Sequence, residues 1–144
     1  MSWDLIILHP PCQHMCVSGN RWYANSAERT EATNWTMTLW ESAISKADFV
    51  CLENPPGFSI PGADKQTIQP HQFGHPETKM TNLWLHNLPP LEPTTPWMVE
   101  AIEYIPAKLK NRVHYTSPGP NRSRNRSETY RLIADQMAEQ WGDL

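Results

Sequence analysis

Cys12 closes the stretch Asp4-Leu5-Ile6-Ile7-Leu8-His9-Pro10-Pro11-Cys12-Gln13, in which an apolar run stops at two prolines. The two rings fix the backbone and cannot continue a central strand. The thiol is therefore held just past the C-terminal end of a strand, the end at which ligands bind in open α/β sheets. A thiol so placed is a nucleophile where its surroundings lower its pKa; the plainer reading of a lone cysteine is a small buried hydrophobe. Glu53 strengthens the first reading. It follows Phe49-Val50-Cys51-Leu52 and precedes Asn54-Pro55-Pro56-Gly57. A carboxylate directly after an apolar run needs a partner if buried; otherwise it is an exposed strand-end or cap residue. If the two strands are neighbours, a Cys and a Glu face each other across one crevice.

The elements that must position this pair follow from hydrophobic periodicity. A first, buried strand is expected over 4–8, then a loop over 9–25. A helix is expected from about Ser26 to Ser45, with Ala32, Trp35, Thr36, Leu39, Ala43 and Ile44 on one face. The second strand covers 49–52 and ends at the Glu-Asn-Pro-Pro-Gly turn. Strand–helix–strand is the order of a crossover between parallel strands. Two further strands are expected over 67–73 and 80–85, separated by Gly74-His75-Pro76-Glu77. Residues 86–126 read as a Pro-rich, irregular and basic segment, with a short helix near 97–104. In the last helix, Tyr130, Ile133, Met137, Ala138 and Trp141 form an apolar stripe, with Ser127 as N-cap and Gly142 at the C-cap position. The fold class is α/β, with a mixed sheet flanked by helices, and 144 residues suit a single domain.

Pro11-Cys12-Gln13, with Gly19 downstream, resembles the Pro-Cys-Gln motif of the DNA cytosine-5 methyltransferases. Phe49-Val50-Cys51-Leu52-Glu53-Asn54-Pro55 resembles their Glu-Asn-Val motif, with Pro55 where Val is usual. Phe73-Gly74-His75-Pro76-Glu77-Thr78-Lys79 is similar to their Gly-x-Pro-Gln-x-Arg-x-Arg motif, with Glu77 at the Gln, Lys79 at the first Arg and Thr81 at the second. The three stand in family order over residues 4–85, and the chain resembles the short methyltransferase-like proteins of phage genomes. The resemblance implies a partial Rossmann-like catalytic half. It makes Cys12 the nucleophile that adds to C6 of a flipped cytosine, and Glu53 the partner of the N3 edge. Gln13 and Asn54 would shape the pocket, and Lys79 would support the flipped nucleotide. It also implies S-adenosylmethionine as methyl donor. The family's Phe-x-Gly-x-Gly loop for that donor lies upstream of the Pro-Cys-Gln strand, and the chain contains no Gly-x-Gly. An active protein would therefore take the donor with a partner chain; a degenerate remnant, or a pocket adopted for binding, would take no cofactor. DNA or a nucleotide is the expected ligand, and exposed strand edges favour a homo-oligomer or a second chain completing the fold.

Other readings of the same residues remain open. A non-catalytic protein could reuse the base pocket to bind a nucleotide, nucleic acid or a host defence protein, as an inhibitor or sponge. Asn54-Pro55-Pro56-Gly57 is near the Asn-Pro-Pro-aromatic motif of amino-group methyltransferases, with Gly57 where the aromatic stacks. His9, Cys12, His14, Cys16 and Cys51 are candidate zinc ligands, although Cys12 and Cys16 are one residue further apart than the Cys pair of the zinc deaminases.

Charge adds a second feature. The net charge is −3, yet residues 108–131 hold seven Lys/Arg and one acid, Glu128. Within that segment Arg122, Arg124 and Arg126 alternate with Ser and Asn. They read as a phosphate clamp, or as a charged turn that keeps the protein in solution. Trp22, in Asn20-Arg21-Trp22-Tyr23, is the candidate base-stacking residue among seven Trp that otherwise suit a core. Three cysteines without framework spacing, no signal-like start and no membrane-length apolar run point to a cytoplasmic protein, and the resemblance to a phage- or prophage-encoded one.

Overall fold

The computed structural model describes residues 2–144. The chain forms two compact units: one runs through Thr67 and resumes at Thr81–Pro90, the other comprises Ile68–Met80 and Leu91–Leu144.

The first unit is a mixed α/β layer. Its four strands are β1 (Trp3–Leu8), β2 (Ala47–Asn54), β3 (Asp64–Ile68) and β4 (Thr81–His86), in the sheet order β1-β2-β4-β3. β1 and β2 are parallel, with Leu8 opposite Leu52; β2 and β4 are antiparallel, with Glu53 opposite Leu83. Two short turns of helix, the 3-10 turn Val17–Gly19 and α1 (Asn20–Tyr23), lead to α2 (Ala27–Ile44). Ser26 caps α2 through its hydroxyl, which accepts from the Arg29 N–H. Successive strand residues face opposite sides of a sheet, so Val50 and Leu52 share one face. They are buried there with Met15, Trp40, Ala43, Phe58, Ile60 and Trp84. β1 is a half-exposed edge strand rather than a buried one, because only β2 pairs with it.

The helix stripe also differs from expectation. Thr36, Trp40 and Ala43 are its buried residues, at the i, i+4, i+7 spacing of one face. Trp35 lies about 100° round the helix from Thr36 and is exposed.

The second unit is built of short helices. The strand expected over 67–73 is instead the end of β3 followed by a 3-10 turn, Pro70–Phe73. Pro70 has no N–H to give a ladder and its fixed φ suits the first position of a turn. Gln69 closes that turn by a capping box with Gln72, and Gly74 ends it at φ +99°. The short helix expected near 97–104 is α3 (Met98–Ala101) continued by a 3-10 turn, Ile102–Tyr104, and the rest of the segment, expected to be irregular, also contains α4 (Ala107–Lys110) and α5 (Arg122–Arg126). The last helix, α6 (Arg131–Trp141), begins three residues later than expected. Tyr130 is its N-cap, whereas the Ser127 N–H donates back to Ser123 and Arg124 and so closes α5. Ile133, Met137 and Trp141 are the buried stripe of α6, Ala138 is exposed, and Gly142 is the C-cap as expected. Among the described residues no helix is long and apolar enough to cross a membrane.

Candidate functional site

The parallel pairing of β1 and β2 puts both of their C-terminal ends on one edge of the sheet. Leu8 is opposite Leu52, so His9 and Glu53 are the next residues on each strand. His9 Nδ1 lies 3.5 Å from Glu53 Oε2, with the two side chains 55% and 28% exposed, so a ligand can reach the carboxylate. The buried Cys51 thiol sits two residues before Glu53 on the same face. Burial, and then the charge of Glu53, push its pKa well above the ordinary thiol value. Cys51 is thus an inert thiol; Cys12 and Cys16 are only partly buried.

Cys12 begins a tight turn: its carbonyl accepts from the Met15 and Cys16 N–H groups, each at 3.0 Å. Met15 anchors the turn from below. It is fully buried in the core of the first unit, where Thr36 Oγ1 donates to its sulfur at 3.5 Å. Arg29 braces the loop from α2. Its Nε donates to the His14 carbonyl at 2.7 Å, Nη2 to the Cys16 carbonyl at 3.0 Å and Nη1 to Asn20 Oδ1 at 2.7 Å.

The loop after β2 packs directly on the Cys12 loop. Val17 N–H donates to the Pro56 carbonyl at 2.8 Å. Gly57 sits at φ +123°, and a Cβ there would lie 2.4 Å from the Met15 oxygen and 2.7 Å from the Val17 nitrogen. Only glycine permits that approach. Gly19 does the same inside the loop, where a Cβ would meet the Gln13 oxygen at 2.8 Å. The two strand-end motifs are therefore one structural piece, locked backbone to backbone.

The other expected site residues are distributed as follows. Gln13 is exposed in the Cys12 turn, and Trp22 is exposed on α1 with the Arg21 guanidinium 5.1 Å from its ring centroid. Asn54 is fully buried, and neither end of its amide has a hydrogen-bond partner. As the strand residue after Glu53, it faces the opposite side of the sheet. Lys79, Arg122, Arg124 and Arg126 belong to the second unit. Lys79 Nζ donates to the Arg126 carbonyl at 2.9 Å and lies over the Tyr130 ring. Glu77, at the Gln position of the third motif, accepts from Arg112 Nε at 2.9 Å and from the Tyr130 hydroxyl at 2.7 Å. Burial alone would raise its pKa, but these two bonds and the Arg112 charge hold it below the ordinary carboxylate value. Among the described residues no three His, Cys, Asp or Glu side chains are grouped to hold a metal ion.

Arg29, Met15 and the His9–Glu53 contact were not anticipated. Arg29 did carry a signal: a cation in the first turn of a helix opposes the helix dipole and needs acceptors nearby to offset that cost.

No family model matches the chain, and no curated protein matches it.

Proposed function

We propose that this chain is a DNA cytosine-5 methyltransferase-like protein with a partial Rossmann-like sheet, in which Cys12 and Glu53 bind and activate a flipped cytosine. The observation that carries the reading is the parallel β1–β2 pair, whose ends put the Pro-Cys-Gln turn and the Glu-Asn turn on the same sheet edge, joined by the Val17–Pro56 hydrogen bond.

The chemistry asked of these residues is short. The Cys12 thiolate adds to C6 of the base, forming an S–C6 bond. The C5=C6 electron pair moves to C4=C5, and the C4=N3 pair moves onto N3, which takes the proton of the Glu53 carboxyl group. C5 is then an enamine carbon. In water it takes a proton, loses its original hydrogen in the reverse sequence, and releases the thiolate. His9, beside Glu53, is placed to return a proton to the carboxylate. Gln13 and the exposed Trp22 would contact the flipped nucleotide.

S-adenosylmethionine would supply the methyl group, but the residues here do not fit it. The two glycines of the Cys12 loop and its neighbour, Gly19 and Gly57, have their Cβ positions filled by backbone atoms at 2.8 and 2.4 Å. Neither leaves the open backbone approach that a nucleoside cofactor uses. The methyl donor would come with a second chain, and the activation of C5 is the part assigned to this one.

The test needs no methyl donor. DNA carrying tritium at cytosine C5 is incubated with the protein, and release of tritium to water is measured. Release that is lost in Cys12→Ala and reduced in Glu53→Gln supports the reading. If release stays at the level of buffer alone, with and without added duplex ends or single strands, the assignment of Cys12 is wrong. The non-catalytic alternative, a base pocket kept for binding, then becomes the better reading.

A further inference from the structure

The second unit contains a cleft of about 800 Å³, within the size range of small-molecule sites. Lys108, Arg112, Tyr115, Thr116, Ser117 and Asn125 line it, together with one acid, Glu128. Asn125 is the α5 residue that reaches it; the three arginines of that helix are not among its walls. We propose that this cleft binds a nucleoside monophosphate unit, free or within a single strand, with Lys108 and Arg112 on the phosphate and Tyr115 against the base.

The phosphate side rests on two cations of different kinds. Lys108 is exposed and makes no hydrogen bond or ion pair among the described residues, so its charge is available to a ligand. Arg112 is pre-oriented, because its Nε donates to Glu77 while Nη1 is only loosely engaged, 3.9 Å from Glu128. A guanidinium fixed by one edge presents its remaining donors as a fork, the geometry that suits phosphate oxygens. The hydroxyl and amide groups of Ser117 and Asn125 add uncharged donors around it. Glu128 is the one acid of the 108–131 segment, and it is 70% exposed, so an anion can displace it without stranding a buried charge.

The base side rests on Tyr115. It is half-exposed, and its ring meets His114 edge-on at 86° with centroids 5.2 Å apart. The residue is 52% exposed, and an accessible aromatic face is what bases stack on. A cleft with cations on one wall and an aromatic on another matches a nucleotide better than a bare inorganic anion. The inference stands apart from Cys12 and Glu53, and it would survive the failure of the tritium-release test.

The experiment is fluorescence anisotropy of a labelled oligothymidylate with the full chain, competed with unlabelled strand or with thymidine monophosphate. Tyr115→Ala is expected to weaken binding by at least about fivefold, the lower end of one base–aromatic stack. Lys108→Ala should weaken it and reduce the salt-dependence slope by about 0.7. Glu128→Gln should tighten it. Arg131→Ala is the control: it removes the same charge from an exposed i,i+4 pair with Asp135 outside the cleft, and should leave affinity nearly unchanged. Competition by the monophosphate identifies a free-nucleotide site, and competition by the strand alone identifies a strand site. Absence of binding, a Tyr115→Ala protein that binds like wild type, or equal losses in Lys108→Ala and Arg131→Ala would each overturn the proposal.

Discussion

Gly57→Ala is expected to destabilise the first unit far more than Gly62→Ala, although both glycines have positive φ. At Gly62, φ is +77° and a Cβ would meet nothing within 4 Å. Its substitution therefore carries only the left-handed backbone cost of an L-residue, about 1–2 kcal/mol. At Gly57, φ is +123°, a region essentially reserved for glycine, at roughly 1–3 kcal/mol. The steric problem is added to that. A Cβ 2.4 Å from the Met15 oxygen and 2.7 Å from the Val17 nitrogen cannot be absorbed by a side-chain rotation, since both are backbone atoms. The loops must part. Parting breaks the Val17 N–H to Pro56 carbonyl bond, worth about 1 kcal/mol net. It also draws the fully buried Met15 part-way from its core, at a further 1–2 kcal/mol or so, a fraction of full truncation.

The sum for Gly57→Ala is roughly 3–6 kcal/mol, a large share of the stability of an ordinary domain. At about 3–4 °C per kcal/mol for a chain of this size, the melting temperature should fall by roughly 10–20 °C, against roughly 3–8 °C for Gly62→Ala. Thermal unfolding followed by circular dichroism measures both. Equal shifts would refute the reasoning: they would mean that the two motif loops do not touch, and that Cys12 is not positioned by the strand carrying Glu53.

Arg29→Ala removes three bonds to the 14–20 loop and should cost about 2–3 kcal/mol; Arg29→Lys should recover little, since an ammonium cannot serve the same fork. Chemical denaturation of the two variants beside wild type checks this, and full rescue by Lys would show that charge alone suffices. Acid should loosen the second unit, because Glu77 has a folded pKa below its unfolded value. Its contribution is complete above the ordinary value of 4.5 and is lost as pH falls through the lower folded value. Buried His71, with its pKa lowered first by desolvation, acts in the same direction beginning near 6.5. Glu77→Gln should flatten the lower part of a stability–pH profile. At the other extreme, burial and then the bond to Glu77 raise the Tyr130 pKa, so one of the four tyrosines should resist ionisation until the protein unfolds. Alkaline titration of phenolate absorbance counts them.

The framework around Cys12 was legible because its signals are local. An apolar run ended by Pro10-Pro11 marks β1, the Ser26 cap and an apolar stripe mark α2, and Phe49–Leu52 marks β2. Sequence errors cluster where a long-range partner decides. Trp35 and Trp40 are equally apolar in sequence, and only the sheet beneath α2 chooses Trp40. Ser127 is a good N-cap by type, yet its N–H is taken by α5. The strand expected over 67–73 failed for a local reason: Pro70 in the middle of the segment argues against a strand.

The site divides in the same way. Cys12 and Glu53 could be picked out by residue type and position, but the grip on them comes from residues with no chemical signature. Gly57 is one letter in a Pro-Pro-Gly turn, and its value appears only when Met15 and Val17 stand against it. Arg29 is one charge in a polar helix, and its three acceptors are two carbonyls and an amide that no pattern predicts. The strand period also separates two neighbours that the motif reads as a pair: Glu53 is open to solvent and ligand, while Asn54 is buried on the other side with its amide unsatisfied. A buried amide without partners costs about 1–3 kcal/mol. An apolar residue of similar volume at position 54 should therefore be stabilising. If Asn54→Leu raises the melting temperature while leaving tritium release intact, Asn54 plays no part in the chemistry at Cys12. If it abolishes release in a protein that is otherwise more stable, the unsatisfied amide belongs to the site after all.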